Sequence, residues 1–463
     1  MPRMTRRQFN MALGATAVTA SALPAVGRAE TPDALIAQPG LARLAPADYP
    51  ETRIWGYGGT APGPVIHVPQ GGRLVRRFVN DLPQPATVHW HGIRLAKAMD
   101  GVEGLTQAPV EPGADFLYDL TAPDAGTYWY HPHRRSWEQL ARGLSGVLIV
   151  DEAEGAPEVD RDEPLQISDW RLTQDAQIAE GFDDLHDRAH GGRIGNWITV
   201  NGTPDYRGTA HRNERLRLRV VNASSSRIMV LEASGFDGWV VALDGMPLEA
   251  VEPLGRIILA PAQRADLIVD VIADQGEDAY LAMLDRDGGY QIAAWSVDES
   301  ARSERLPAPE ALPANPVAAL GPLDTARTAD LRMEGGAMGS LSGAIMNGQM
   351  TSMRDMAAAG RVWAFNGMAQ MSETPLIEVA RGETVRLAIA NDTSWPHAMH
   401  LHGHHFRQVL AEGTLGPLRD TLLMDRGATA DIAFVADNPG DWLLHCHMLE
   451  HAAGGMMTWL RVT

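Results

Sequence analysis

The single cysteine of this 463-residue chain lies between two histidines, His445-Cys446-His447, and no other feature limits the fold as tightly. On an extended strand consecutive side chains point to opposite faces, so Cys446 faces one way and both histidines the other. The run continues Met448-Leu449-Glu450-His451, with Met456 close behind. One thiolate, the His451 imidazole and a weak thioether from Met456 make up most of a blue-copper electron-transfer site. The two histidines on the opposite face could feed a second metal centre directly behind it.

Ten of the 16 histidines fall in four clusters: His89-Trp90-His91, His131-Pro132-His133, His397-Ala398-Met399-His400-Leu401-His402, and the segment His445 to His451. An H-x-H pair puts both imidazoles on one strand face. A polar surface strand explains one such pair; four clusters, one with the sole cysteine, point to metal chemistry. The cysteine site needs a second imidazole, and His397, set apart from His400 and His402, is the candidate. His404 and His405 read as structural or surface residues.

These motifs resemble the four copper-binding motifs of the multicopper oxidases, the family of laccases, ascorbate oxidase and the bacterial copper-efflux and bilirubin-type oxidases. All four occur in family order and span essentially the whole mature chain. The resemblance implies an all-β fold of three cupredoxin-like Greek-key β-sandwich domains. It implies four copper ions, one type 1, one type 2 and two type 3, that reduce O2 to water. The type 1 copper would take His397, Cys446 and His451, with Met456 as axial ligand. By motif correspondence, His89 and His400 would be the type 2 ligands. His91, His131 and His447 would hold one type 3 copper, and His133, His402 and His445 the other. Asp100, in a Met-Asp-Gly turn, resembles the acid that bacterial members place near the type 2 copper, and the expected role is proton relay.

Three positions depart from the pattern. Ala452 stands where many bacterial members carry an acid directly after the histidine matching His451, and Ala398 replaces a commoner proline. Thr393 stands where copper-efflux oxidases place an acid before the type 1 histidine.

The length predicts two to three domains. A formal charge of -19 argues against nucleic acid and anionic membrane surfaces as partners. The N-terminus reads Thr5-Arg6-Arg7-Gln8-Phe9-Asn10 before an apolar stretch ending in small residues near Ala29. This pattern predicts a twin-arginine signal over 1–29, the Tat export machinery as a partner and a periplasmic location. No later segment reads as a membrane span, so no membrane partner is expected once the signal is removed. A lone cysteine excludes an internal disulfide.

A weak repeat of turn, short strand, turn and alternating strand starts near Gly58-Gly59, Asn201-Gly202 and Asn366-Gly367. It predicts domains at 30–155, 156–300 and 331–463, with an Ala/Pro-rich linker at 301–330. The middle unit has only His186, His190 and His211, without an H-x-H pair, and reads as a spacer. A metal cluster with ligands from both ends of the chain then forms only where the outer units meet.

Met333, Met338, Met346, Met350, Met353 and Met356 crowd one short stretch. The spacing of Met346, Met350 and Met353 predicts one helix face. It reads either as core packing or as a soft thioether surface for Cu(I), with Asp355 as a hard co-ligand. The expected reducing substrate is therefore Cu(I) or a phenolic compound, with a role in copper tolerance. The alternatives are a laccase-type phenol oxidase without that role, or a non-catalytic periplasmic copper-binding protein.

Overall fold

Several strands alternate buried and open residues, while others, including those that carry the histidine clusters, are buried on both faces. Thr384–Asn391 shows the pattern well: Val385, Leu387 and Ile389 are buried, while Thr384, Arg386 and Ala388 are at least partly open. The period of two places one face on a core and the other toward water. The computed structural model describes residues 33–286 and 288–463, so the expected signal at 1–29 lies outside the described residues.

Sheets come in three successive pairs, making an all-β fold. In the first, Thr52–Tyr57, Asp33–Ala42, Arg73–Asn80 and Asp115–Thr121 face Ile66–Pro69, Gly146–Asp151, Gly126–His131 and His89–His91. The second is a six-stranded and a five-stranded sheet built from strands between Arg161 and Ser300. The third pairs a six-stranded sheet with the five strands Glu378–Val379, Met457–Val462, Gly440–Cys446, His397–Leu401 and Thr421–Met424. No helix among the described residues is long and apolar enough to cross a membrane.

One continuous apolar cluster runs through the first and third sandwiches, from Tyr57 and Trp90 to Trp363, Cys446 and Met456. The second sandwich has its own core around Leu216, Leu218, Leu267 and Trp295. Its central strand Arg215–Asn222 is buried on both faces despite three arginines. Each arginine is paired: Arg215 with Asp270, Arg217 with Asp266 and Glu152, Arg219 with Asp162 and Asp266. Unpaired, such charges would not stay buried. Arg219 also donates to Thr127 of the first sandwich at 3.0 Å, which ties the two units together.

Two expectations are corrected. Met346, Met350 and Met353 do not share a helix: Gly343–Met346 and Gln349–Ser352 form a hairpin, and only Met353–Ala358 is helical. The turn is Asn347-Gly348, with φ of 51° and 72°, the left-handed pair that a two-residue hairpin turn requires. That dipeptide outweighs the i, i+4 spacing. The stretch expected to be a linker up to residue 330 already contains a strand start, because Arg327–Gly335 pairs in parallel with Thr384–Asn391. Only Leu331, Met333 and Gly335 of that strand are buried, so its alternation is faint in sequence.

Candidate metal centres

Register brings the clusters together. Strand His397–Leu401 pairs antiparallel with Gly440–Cys446, setting Met399 opposite Cys446 and His400 opposite His445. In the first sandwich His89 lies opposite His131. Alternation then sends Cys446 to one side and His445 to the other.

On the cysteine side, His397, Cys446 and His451 gather their donor atoms within 4.8 Å. Cys446 Sγ is 3.7 Å from His397 Nδ1 and 3.8 Å from His451 Nδ1. Hydrogen bonds fix the tautomers. The Thr393 hydroxyl donates to Asn391 Oδ1 at 2.7 Å, so toward His397 Nε2, at 2.8 Å, it can only accept. His451 Nε2 donates to the His190 carbonyl at 2.6 Å. Both Nδ1 atoms therefore carry lone pairs, and they lie 3.0 Å apart. Two acceptors cannot satisfy each other at that distance; a cation between them can. Met456 is fully buried in the same core cluster, and its carbonyl accepts from Cys446 N. Trp363 packs its ring 5.1 Å from His397 and 4.6 Å from His451.

On the other side the eight remaining histidines converge. His91, His131 and His447 form one triad and His133, His402 and His445 another, while His89 groups with His91 and His400. The same logic aims their nitrogens. His89 Nδ1 donates to the Asp100 carbonyl and His400 Nδ1 to the Asp420 carbonyl, each at 2.9 Å. His445 Nδ1 donates to the Cys446 carbonyl at 2.9 Å, and His402 Nδ1 faces the Asp100 carboxylate at 3.0 Å. The Nε2 atoms of His89, His400, His402 and His445 are thereby left buried without a protein partner. Four orphaned acceptors in one place are costly unless a ligand takes them. His91 Nε2 donates to Asp420 Oδ1 at 3.2 Å and His131 Nδ1 to the Pro132 carbonyl at 3.0 Å. Their other nitrogens then face each other at 3.5 Å, and His131 Nε2 lies 3.4 Å from His447 Nε2.

Burial, and then the neighbouring imidazoles, hold His91, His131, His133, His397, His400, His402 and His447 well below the usual histidine range. Burial brings His445 and His451 down to about 4. Neutral imidazole is the form that binds metal. Burial also pushes the Cys446 thiol up to about 12, so metal uptake here must expel its proton. The donor set, soft sulfur with imidazole on one side and imidazoles alone on the other, fits copper.

Sequence reasoning missed several partners. Asp420 contacts His91 and accepts from Arg264 at 2.7 and 3.0 Å, all fully buried. The second sandwich is thus more than a spacer: it supplies Arg264 behind one centre and the His190 carbonyl at the other. Asp420 lies in Leu418-Arg419-Asp420-Thr421, where nothing in the sequence marks it. His404 and His405 are buried, packed on Trp442 and bonded to the Asp244 carbonyl, consistent with structural roles.

Two multicopper oxidase family models match residues 41–155 and 345–463. Lac15, a solved structure from a marine microbial metagenome, is 40% identical, covers 93% of this chain and 100% of its own, and superposes with a TM-score of 0.76. A multi-copper oxidase structure from Pseudomonas thermotolerans is 32% identical over 94% and 99% of the two chains, with a TM-score of 0.80. The multicopper oxidase MmcO of Mycobacterium tuberculosis is 29% identical over 87% of this chain and 82% of its own length. The sandwiches are cupredoxin-like, and the site defines a copper-dependent oxidoreductase that uses O2 with a reducing substrate. The chain belongs to the multicopper oxidase family.

Proposed function

We propose that this chain is a four-copper oxidase that takes electrons one at a time from Cu(I) or phenolic compounds and reduces O2 to water. The observation that carries this reading is the facing of two lone-pair nitrogens, His397 Nδ1 and His451 Nδ1, 3.0 Å apart beside the only thiol. His397, Cys446 and His451, with Met456 as axial partner, would hold the type 1 copper. His89 and His400 would hold type 2. His91, His131 and His447 would hold one type 3 copper, and His133, His402 and His445 the other. When bound, these coppers supply the one-electron steps and the four-electron reduction that no side chain can perform.

The chain's own contribution is placement. Cys446 is bonded through its peptide links to His445 and His447, so the covalent path between the two centres is short. Asp100 orients His402 through its carboxylate and His89 through its carbonyl, and can hold a proton at a carboxylate oxygen. Asp100→Asn is expected to lower turnover about 10–100-fold. The visible absorption should be unchanged, because Asp100 touches none of His397, Cys446 or His451. Equal turnover in a steady-state oxygen-electrode assay would remove Asp100 from the mechanism.

For the substrate, exposed thioethers favour Cu(I). Met338 is 77% and Met350 75% exposed, and the Met338 carbonyl accepts from Ser394, in the loop that bonds His397. A phenol reading is favoured by a different observation. Position 393, where copper-efflux oxidases carry an acid, holds a threonine bonded to His397, and the Asp355 carboxylate already accepts from Ser352, the cap of its helix, at 2.7 Å. Met333 and Met356 are fully buried, which makes point substitutions a cleaner test than deletion. Met338→Ala/Met350→Ala is expected to reduce Cu(I)-driven oxygen uptake several-fold while leaving phenol oxidation intact. Unchanged Cu(I) turnover would leave the phenol oxidase reading in its place.

The twin-arginine pattern supports export through the Tat machinery to the periplasm. A role in copper tolerance follows from a Cu(I)-oxidising site in that compartment, and deletion of the coding sequence in the source organism should then lower survival on copper.

A further inference from the structure

A half-enclosed cavity of about 230 Å³ opens beside the histidine cluster. His133 and His445, two members of one triad, line it, and so does the methyl of Ala452. Glu103 and Arg134 come from the first sandwich to complete the wall near its mouth. Arg134 follows His133 directly in the chain, and its Nη1 donates to both carboxylate oxygens of Glu103. The Glu103 side chain is 31% exposed, so it meets both the cavity and bulk water. The space is large enough for several waters at about 30 Å³ each. Arg134 Nε is buried against it with no protein partner, which suits water as its acceptor.

The other charged groups facing this space are Arg135 and Arg361, together with Arg134. A guanidinium cannot release its proton near neutral pH. The two histidines are committed as metal donors in the reading above. Glu103 is the only carboxylate on the wall, and it alone can accept a proton from water and pass it inward.

We propose that Glu103 is the proton-delivering residue of the O2-reducing centre, working through this cavity; the proposal rests on the oxidase reading. Each O2 takes four electrons, from four one-electron oxidations of the reducing substrate, and four protons, giving two waters. Each proton moves from hydronium to the Glu103 carboxylate, then along cavity water to the reduced oxygen, and the carboxylate is regenerated. Arg134 fixes the carboxylate at the mouth. A part-exposed ion pair of this kind adds little to stability, so its removal leaves the fold intact.

The test uses the copper-loaded full chain. Glu103→Gln is expected to keep copper content, visible spectrum and the anaerobic rate of bleaching by a phenolic reductant, since none of these needs protons at the cluster. Reoxidation by O2 should slow about tenfold or more. The slowing should be greatest above neutral pH, where hydronium is scarce, and a carboxyl band should vanish from the reduced-minus-oxidised infrared difference spectrum. Adding Ala452→Glu, which puts a carboxylate elsewhere on the lining of the same cavity, should restore most of the rate. Unchanged reoxidation, pH-independent slowing, an unaltered infrared spectrum, or no recovery with Ala452→Glu overturns the proposal. A wild-type chain that binds copper yet neither colours nor consumes O2 would instead sink the oxidase reading, and this proposal with it.

Discussion

Cys446→Ser is expected to abolish the intense visible absorption of the copper-loaded protein and to lower substrate oxidation by at least about a hundredfold, the loss that even a ligand's hydrogen-bond partner can cause. The reason is specific to this chain. Cys446 is its sole cysteine and is completely buried, and Sγ is the only soft anionic donor among the described residues near His397 and His451. A serine hydroxyl is hard and does not ionise there, so the remaining imidazole pair no longer makes a blue-copper site. The eight histidines behind the strand keep their own partners, so copper analysis should show loss of one site's worth of metal. Visible absorption retained in the variant would mean that the thiolate is not the ligand, and the assignment of this centre would fail.

Asp420→Ala is expected to destabilise the metal-free protein by about 3–5 kcal/mol, the range for stranding one partner of a buried ion pair. Arg264 is fully buried, and its two terminal nitrogens donate to Asp420 at 3.0 and 2.7 Å. Its other carboxylate neighbour, Asp244, is 3.8 Å away and is engaged by Arg419. Without Asp420 the guanidinium's remaining hydrogen bonds go to carbonyls, of Thr127 and Ala262. Asp420→Asn preserves shape and some hydrogen bonds, so its loss should be smaller. It should still weaken copper retention about 10–100-fold, because the His91 ring loses its anionic partner. Thermal unfolding of the metal-free variants and copper competition with a chelator read the two effects separately. Wild-type stability in Asp420→Ala would show that Arg264 is held by other contacts.

The ligand set was legible because its signal is local. An H-x-H pair on a strand needs only two neighbours to aim two imidazoles, and His445-Cys446-His447 adds the opposite face in one residue. The all-β fold was legible for the same reason, since alternation with period two needs no tertiary information. The methionine segment carries two conflicting local signals, an i, i+4 spacing and the turn dipeptide Asn347-Gly348, and the turn wins because its two left-handed residues close a hairpin.

What the sequence determined by itself is the identity of the donors and the sides of the strands on which they stand, because covalent geometry fixes alternation. The tertiary structure decided which charges stand behind the rings and, for His91, His400, His402 and His451, which nitrogen faces inward. The His190 carbonyl, from the second sandwich, sets the His451 tautomer at the cysteine centre, and Asp420, Arg264 and Glu103 surround the other. Those partners are separated from the rings they serve by up to hundreds of residues, and His91 with Asp420 is one example, 329 apart. Contacts across such spans exist only once three sandwiches have packed, and no local pattern of residues encodes them.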